Sequence, residues 1–247
     1  MASREEMLAR VRKALGATRG SPSPIPKEAD QIFERLAGVM PAIPPDQLLP
    51  KFEEELAKVG GTAHRASSRE GLEGILRKIL EGSQASSVVL SQNPILAELN
   101  LAERLRSWGQ SVLIWPAVDE PDEGQDAPTG EKFRAASFEA QVGITGVDFV
   151  LAETGSLIVT SQIEGSQLSS LAPPVHVALY RRSQLFGSLD EVLERLPVAK
   201  QPGQLVPGRS VVFITGTSRT ADIEQVLIRG VHGPREVHAI LVEDSCF

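Results

Sequence analysis

Apolar positions change their spacing near residue 61, and the change divides the chain into a helical and an alternating part. Met7, Leu8, Val11, Ala14 and Leu15 fall on one helical stripe, which opens with Ser3 and Glu6 at capping-box spacing and closes at Gly16. Residues 17–26, with Ser21-Pro22-Ser23-Pro24, are too rich in small residues and proline to join a core. Residues 1–26 are therefore expected to form a helical arm and its linker. Helical spacing returns at 27–38 and at 46–59, where Leu48, Leu49, Phe52, Leu56 and Val59 face inward and Gly60-Gly61 supply the stop.

Beyond Gly61, short apolar runs alternate with helical stripes. The pattern predicts a strand over 62–66, a helix from Ser67 with Glu70 completing a capping box, a strand over 87–90, a helix opened by Asn93-Pro94, a strand over 112–115 and a helix over 131–138. Such alternation is the signature of an α/β fold with a mostly parallel sheet flanked by helices. The runs 147–152 and 156–160 are separated only by Glu153-Thr154-Gly155, which predicts a β-hairpin inserted as an antiparallel element in that sheet. A polar stretch over 165–174 leads into a strand over 175–180, in which alternation turns His176 away from Val175 and Val177.

The stretch 211–243 organises the remainder. Apolar residues 211–214 run into Thr215-Gly216-Thr217-Ser218-Arg219-Thr220, then into an amphipathic segment carrying Ile223, Val226 and Leu227, then through Gly230 to a second apolar run over 239–242. Strand, turn, helix and strand in that order predict a βαβ crossover. Thr217, Ser218, Arg219 and Thr220 would then occupy the strand-to-helix corner, where free N–H groups favour a carboxylate or phosphate. The plainer alternative is that these residues only cap the helix, whose dipole Asp222 and Glu224 already complement.

Composition removes several classes. At 247 residues and 41% hydrophobic content the chain can bury a sizeable core, and a net charge of -7 with a pI near 5.3 argues against nucleic acid and anionic membranes as partners. The first residues lack the apolar centre of a signal peptide and no run reaches the ~20 residues of a membrane helix, so a cytoplasmic protein without membrane insertion is expected. Cys246 is the only cysteine, which excludes an internal disulfide, a Cys-rich zinc site and an iron–sulfur cluster held by this chain alone. No metal site is expected, and Cys246, so near the chain end, is expected to lack the packing that holds a reactive thiolate. The acidic stretch 117–130 reads as an exposed loop, because it lacks the ligand spacing of a calcium loop.

Among titratable candidates, His232 between glycines could act as a base for proton abstraction next to a carboxylate, or could cap a helix end. A helix of roughly ten residues spans ~15 Å and would separate His232 from Arg219. His176 is either a substrate ligand or a core histidine with one satisfied nitrogen. Glu153 at the hairpin tip is a solvated turn residue or a catalytic carboxylate, and Asp148 faces the same choice at lower rank because it precedes a buried run.

Glu153-Thr154-Gly155-Ser156, Pro173-Pro174-Val175-His176, residues 216–224 and Gly230-Val231-His232-Gly233-Pro234 together resemble the LUD-domain proteins of bacterial lactate utilization, of the LutC (YkgG) type. The resemblance covers about 61–243 and implies an α/β domain over 27–247. It implies a fold like that of ribose-phosphate isomerases, CoA transferases and formyltetrahydrofolate cyclo-ligases. The glutamate nucleophile of such CoA transferases places Glu153 first among the carboxylates. The implied function is conversion of lactate to pyruvate, a small anionic substrate, beside two partner proteins that carry the iron–sulfur clusters. A stand-alone phosphate- or nucleotide-binding enzyme and a non-catalytic scaffold are the alternatives.

Overall fold

The computed structural model describes residues 7, 8, 10, 13, 42–115, 129–196, 210–221, 227–230 and 232–247. Met7, Leu8, Arg10 and Lys13 are helical, as the N-terminal stripe predicts, but Met7 and Leu8 of that stripe are exposed rather than packed, while the boundary expected at 26/27 and the acidic stretch 117–130, apart from Thr129 and Gly130, lie outside the described residues. Residues 43–247 form one compact unit.

Helix α1 (Leu48–Lys58) buries Leu49, Phe52 and Leu56 and ends at Gly60, whose φ of 83° lets the chain reverse into β1 (Thr62–Ala66). Helix α2 (Arg69–Gly82) is capped by Ser68 rather than Ser67, the Ser68 hydroxyl accepting from the Gly71 amide at 3.1 Å, and it buries Leu72, Leu76, Ile79 and Leu80. After β2 (Ser87–Leu90), helix α3 (Pro94–Glu98) opens on Asn93-Pro94 as predicted, with Asn93 Oδ1 accepting from the Ile95 amide at 3.2 Å. Then follow α4 (Leu101–Ser107), β3 (Ser111–Ile114), α5 (Thr129–Glu139), β4 (Val142–Thr145), the hairpin β5 (Phe149–Leu151) and β6 (Ser156–Thr160), α6 (Ser161–Glu164), α7 (Leu168–Leu171), β7 (Val175–Tyr180), β8 (Leu185–Phe186) and α8 (Leu189–Leu193). The chain closes with β9 (Val211–Ile214), β10 (Arg219–Ala221), β11 (Leu227–Arg229) and β12 (Glu236–Val242).

Six strands form a wholly parallel sheet in the order β1-β12-β7-β4-β2-β3. One face carries the core made with α2, α3 and α4 around Leu76, Leu105, Ile144 and Val177. On the other face Ala178, Tyr180, Ala239 and Leu241 pack with α1 and with a second, four-stranded sheet in the order β8-β5-β6-β9. The predicted hairpin is therefore real but belongs to this small mixed sheet, in which β6 pairs antiparallel with both β5 and β9. The parallel sheet contains no antiparallel member because β5 and β6 find their partners in β8 and β9 instead.

The βαβ crossover is overturned. Strand β9 lies in the small sheet, β12 lies in the large one, and between them Arg219–Ala221 pairs antiparallel with Leu227–Arg229 as a two-stranded ribbon. Three apolar positions within five residues were too few to establish a helical period, whereas Thr220, Ile223, Val226 and Ile228 are β-branched and favour extended backbone. Residues 222–226 lie outside the described set.

Candidate functional site

Two segments that the sequence singled out, 216–219 and 230–234, come together where α1 ends. The Ser218 amide donates to the Pro234 carbonyl at 2.8 Å and the Gly230 amide to the Ser218 carbonyl at 3.0 Å, while Gly233 backs onto the Ser218 side chain. Thr217, buried, donates its amide to the Val59 carbonyl at 3.3 Å and accepts from Arg219 Nε on its hydroxyl at 3.3 Å. The Arg219 guanidinium lies against Gly60, where a Cβ would overlap it. Because a ribbon replaces the expected helix, its two ends return to one place, so the ~15 Å separation of Arg219 from His232 no longer applies. His232 is exposed in this corner, and Thr220 pairs through its backbone with Ile228.

The electrostatic reason for an anion there is also removed. Among the described residues no helix begins at this corner; instead α1 finishes at it, and the carbonyl end of a helix dipole favours a cation such as Arg219. Among the described residues Arg219 makes no ion pair with Glu153, whose Oε1 accepts from the Leu189 amide at 2.7 Å and so caps α8. A hydroxyl chain at the same hairpin tip links Thr154, Ser156 and Thr215 through two contacts of 2.7 Å. The corner lies at the amino ends of β1 and β12, opposite the strand ends where ligands of open α/β sheets bind.

His176 is a core histidine. It is fully buried between Gly143 and Val237, its Nε2 is 2.9 Å from the Thr145 hydroxyl, and its Nδ1 has no partner. Burial, with His238 adding, pushes it down to about 3, so the ring is neutral near pH 7. Cys246 departs from expectation: it is buried, its thiol donates to the Ala66 carbonyl at 3.2 Å, and burial raises its pKa, which makes it an inert packing residue.

The larger polar concentration lies at the carboxyl ends of β2 and β4, adjacent strands whose onward connections leave in opposite directions. Ser91 and Asn93 follow β2, Gly146 and Asp148 follow β4, and Glu164 ends α6. Gly146 has no Cβ because the Asn93 side chain occupies that space. Asn93 Nδ2 donates to Glu164 Oε1, and Glu164 Oε2, on a residue 1% exposed, has no partner. Burial raises the Glu164 carboxyl to about 7, with the charge of Asp148 adding, against Ser91, Asn93 and the Gly146 amide, which favour the anion. Asp148 Oδ2 accepts from the Thr160 amide at 2.7 Å and Oδ1 from its hydroxyl at 3.1 Å; burial raises this pKa too, opposed by the same two bonds. Asn93, Asp148, Val147, Ile163, Arg181 and Gln184 line a cavity of about 300 Å³ beside these groups.

On sequence alone nothing marks Glu164, and Asp148 ranks below Glu153. The available signal was a polar run directly after each of two strands, 91–93 and 145–148, but it becomes visible only once β4 is recognised as the neighbour of β2.

These features define an α/β protein with a six-stranded parallel sheet, a small mixed sheet and a polar pocket at a switch in strand order. The LUD domain matches residues 49–242, and the chain belongs to the LUD domain family. It is 29% identical over 241 residues to lactate utilization protein C of Halalkalibacterium halodurans, covering 98% of each chain. With lactate utilization protein C of Bacillus subtilis it shares 28% identity over 244 residues, 98% of this chain and 97% of that one. The uncharacterized protein YkgG of Escherichia coli is 30% identical over 158 residues, covering 64% of this chain and 63% of its own. A DUF162 family protein from Deinococcus radiodurans, solved at 1.70 Å, superposes with a TM-score of 0.49 and 21% identity over 81% of this chain and 99% of that one. Among the described residues no helix is long and apolar enough to cross a membrane.

Proposed function

We propose that this chain is a subunit of a bacterial lactate-utilization system, acting in the cytoplasm in the oxidation of lactate to pyruvate beside iron–sulfur partner proteins. The observation that carries the proposal is the end-to-end similarity to proteins named lactate utilization protein C, at 29% identity over 98% of both chains. A division of labour fits the single, buried cysteine, since a cluster takes about four cysteine ligands. The reading includes a fold of the ribose-phosphate isomerase, CoA transferase and cyclo-ligase kind, with which the parallel sheet and its carboxyl-end pocket are compatible. A phosphate ester, with a charge of about −1.5 to −2 near pH 7, suits that pocket less well than a singly charged acid, because Asp148 and Glu98 line it beside a single arginine.

Deleting the gene in its native host is expected to abolish growth on lactate while sparing growth on pyruvate, and the tagged chain is expected to co-purify with Cys-rich iron–sulfur proteins. Unimpaired growth on lactate together with no such partner would overturn the proposal. The isolated chain, purified anaerobically, is expected to contain no stoichiometric iron or labile sulfide.

A further inference from the structure

We propose that the pocket at the carboxyl ends of β2 and β4 binds a small 2-hydroxy acid, with its carboxylate against Arg181 and its hydroxyl donating to Asp148. The inference deepens the lactate-utilization reading and rests on it for the choice of acid.

A cavity of about 300 Å³ suits a small molecule, and its lining includes the cation Arg181, the carboxylate Asp148, a second carboxylate, Glu98, that pairs with Arg181, and an apolar wall. Val147 and Ile163 form the apolar part, which a methyl group would meet. The two bonds from Thr160 fix the orientation of Asp148 and favour its anion, yet each carboxylate oxygen keeps a free lone pair. An incoming O–H is the group that these lone pairs lack.

Arg181 stacks its guanidinium 3.8 Å over the Phe247 ring and pairs with Glu98 and, at 3.7 Å, with Asp244. Both acids are exposed, and exposed pairs contribute little, so a ligand carboxylate can replace them and gain a bidentate partner. Gln184 is already committed, accepting from the Arg181 amide at 2.8 Å and donating to the Val147 carbonyl, which holds the Arg181 and Asp148 sides of the pocket together.

The arrangement discriminates between the reduced and oxidised forms of one acid. A 2-hydroxy acid gives Asp148 a hydrogen, whereas the ketone oxygen of a 2-oxo acid would face its lone pairs. Only binding is inferred, and no electron transfer is assigned to this chain.

The test is calorimetric or NMR titration of the full chain with L-lactate, D-lactate, glycolate, propionate and pyruvate. At least one hydroxy acid is expected to bind about tenfold or more tightly than pyruvate or propionate. Asp148→Asn should erase that preference, and Arg181→Gln should weaken every acid by about tenfold or more. Should either variant fail to fold by circular dichroism, Ile163→Trp, at a 40% exposed position on the rim, fills the pocket and is expected to block binding. Lactate binding that survives Asp148→Asn and Ile163→Trp but disappears in Arg219→Ala would move the ligand to the other corner and overturn the inference. No binding of any acid to the wild type would overturn it too, while the growth phenotype of the deletion judges the wider function separately.

Discussion

Glu164 carries a free-energy cost that pH can reveal. Its carboxyl titrates near 7 in the folded chain against a usual 4.5, so above pH 4.5 the unfolded chain releases a proton that the folded chain retains. Its contribution to stability is therefore fully present below about pH 4.5 and is lost as pH rises through about 7, by roughly 3 kcal/mol at most. Glu164→Gln is expected to raise the melting temperature by several degrees at pH 8 and to change it little at pH 4.5, as measured by thermal unfolding across that range. A lower melting temperature at pH 8 would show that the charge of Glu164 is compensated. For Arg219, whose guanidinium lies at the carbonyl end of α1, Arg219→Ala is expected to lower the melting temperature by no more than a few degrees in calorimetry. At this scale the sequence singled out the residues of the glycine-rich corner, which the fold does bring together, but carried no sign of Glu164. A lone glutamate before glycine carries no local signal, and its burial arises entirely from the strand ends assembled around it.

Elements were legible wherever one period dominated. Helices α1 and α2 and strands β1, β2 and β7 follow from stripes or apolar runs of sufficient length, and their boundaries agree to within about two residues. Strand β4 was missed because Val142–Thr145 contains a glycine and runs into the apolar residues of the next strand. That glycine is required by packing, since a Cβ at Gly143 would overlap the Ser169 carbonyl of α7. Gly143→Ala is accordingly expected to cost several degrees of melting temperature, because backbone yields less readily than a side chain. An unchanged melting curve would mean that α7 shifts at no cost. The β10–β11 ribbon was misread for the opposite reason. Its few apolar positions fit a helix as well as a strand, and its pairing depends on contacts of Ser218 with Gly230 and Pro234 that no local pattern specifies.

For the whole molecule, limited proteolysis is expected to cut first within 17–26 or 117–130, whose sequences lack apolar anchors. Early cleavage inside 175–180 or 236–242 would contradict the buried parallel sheet, because both strands are interior to it, paired on both sides. The same sheet has a consequence for biosynthesis. Strand β1 is the first strand described and has only β12, the last, as its neighbour, while Cys246 docks beneath Ala66 at the end of β1. A nascent chain thus holds β1 as an unpaired edge until β12 has been synthesised, and the sheet cannot be completed before then. Chains that have not yet made β12 should remain protease-sensitive and dependent on chaperones, and a truncation before Glu236, which removes β12, should yield aggregate rather than a shortened domain.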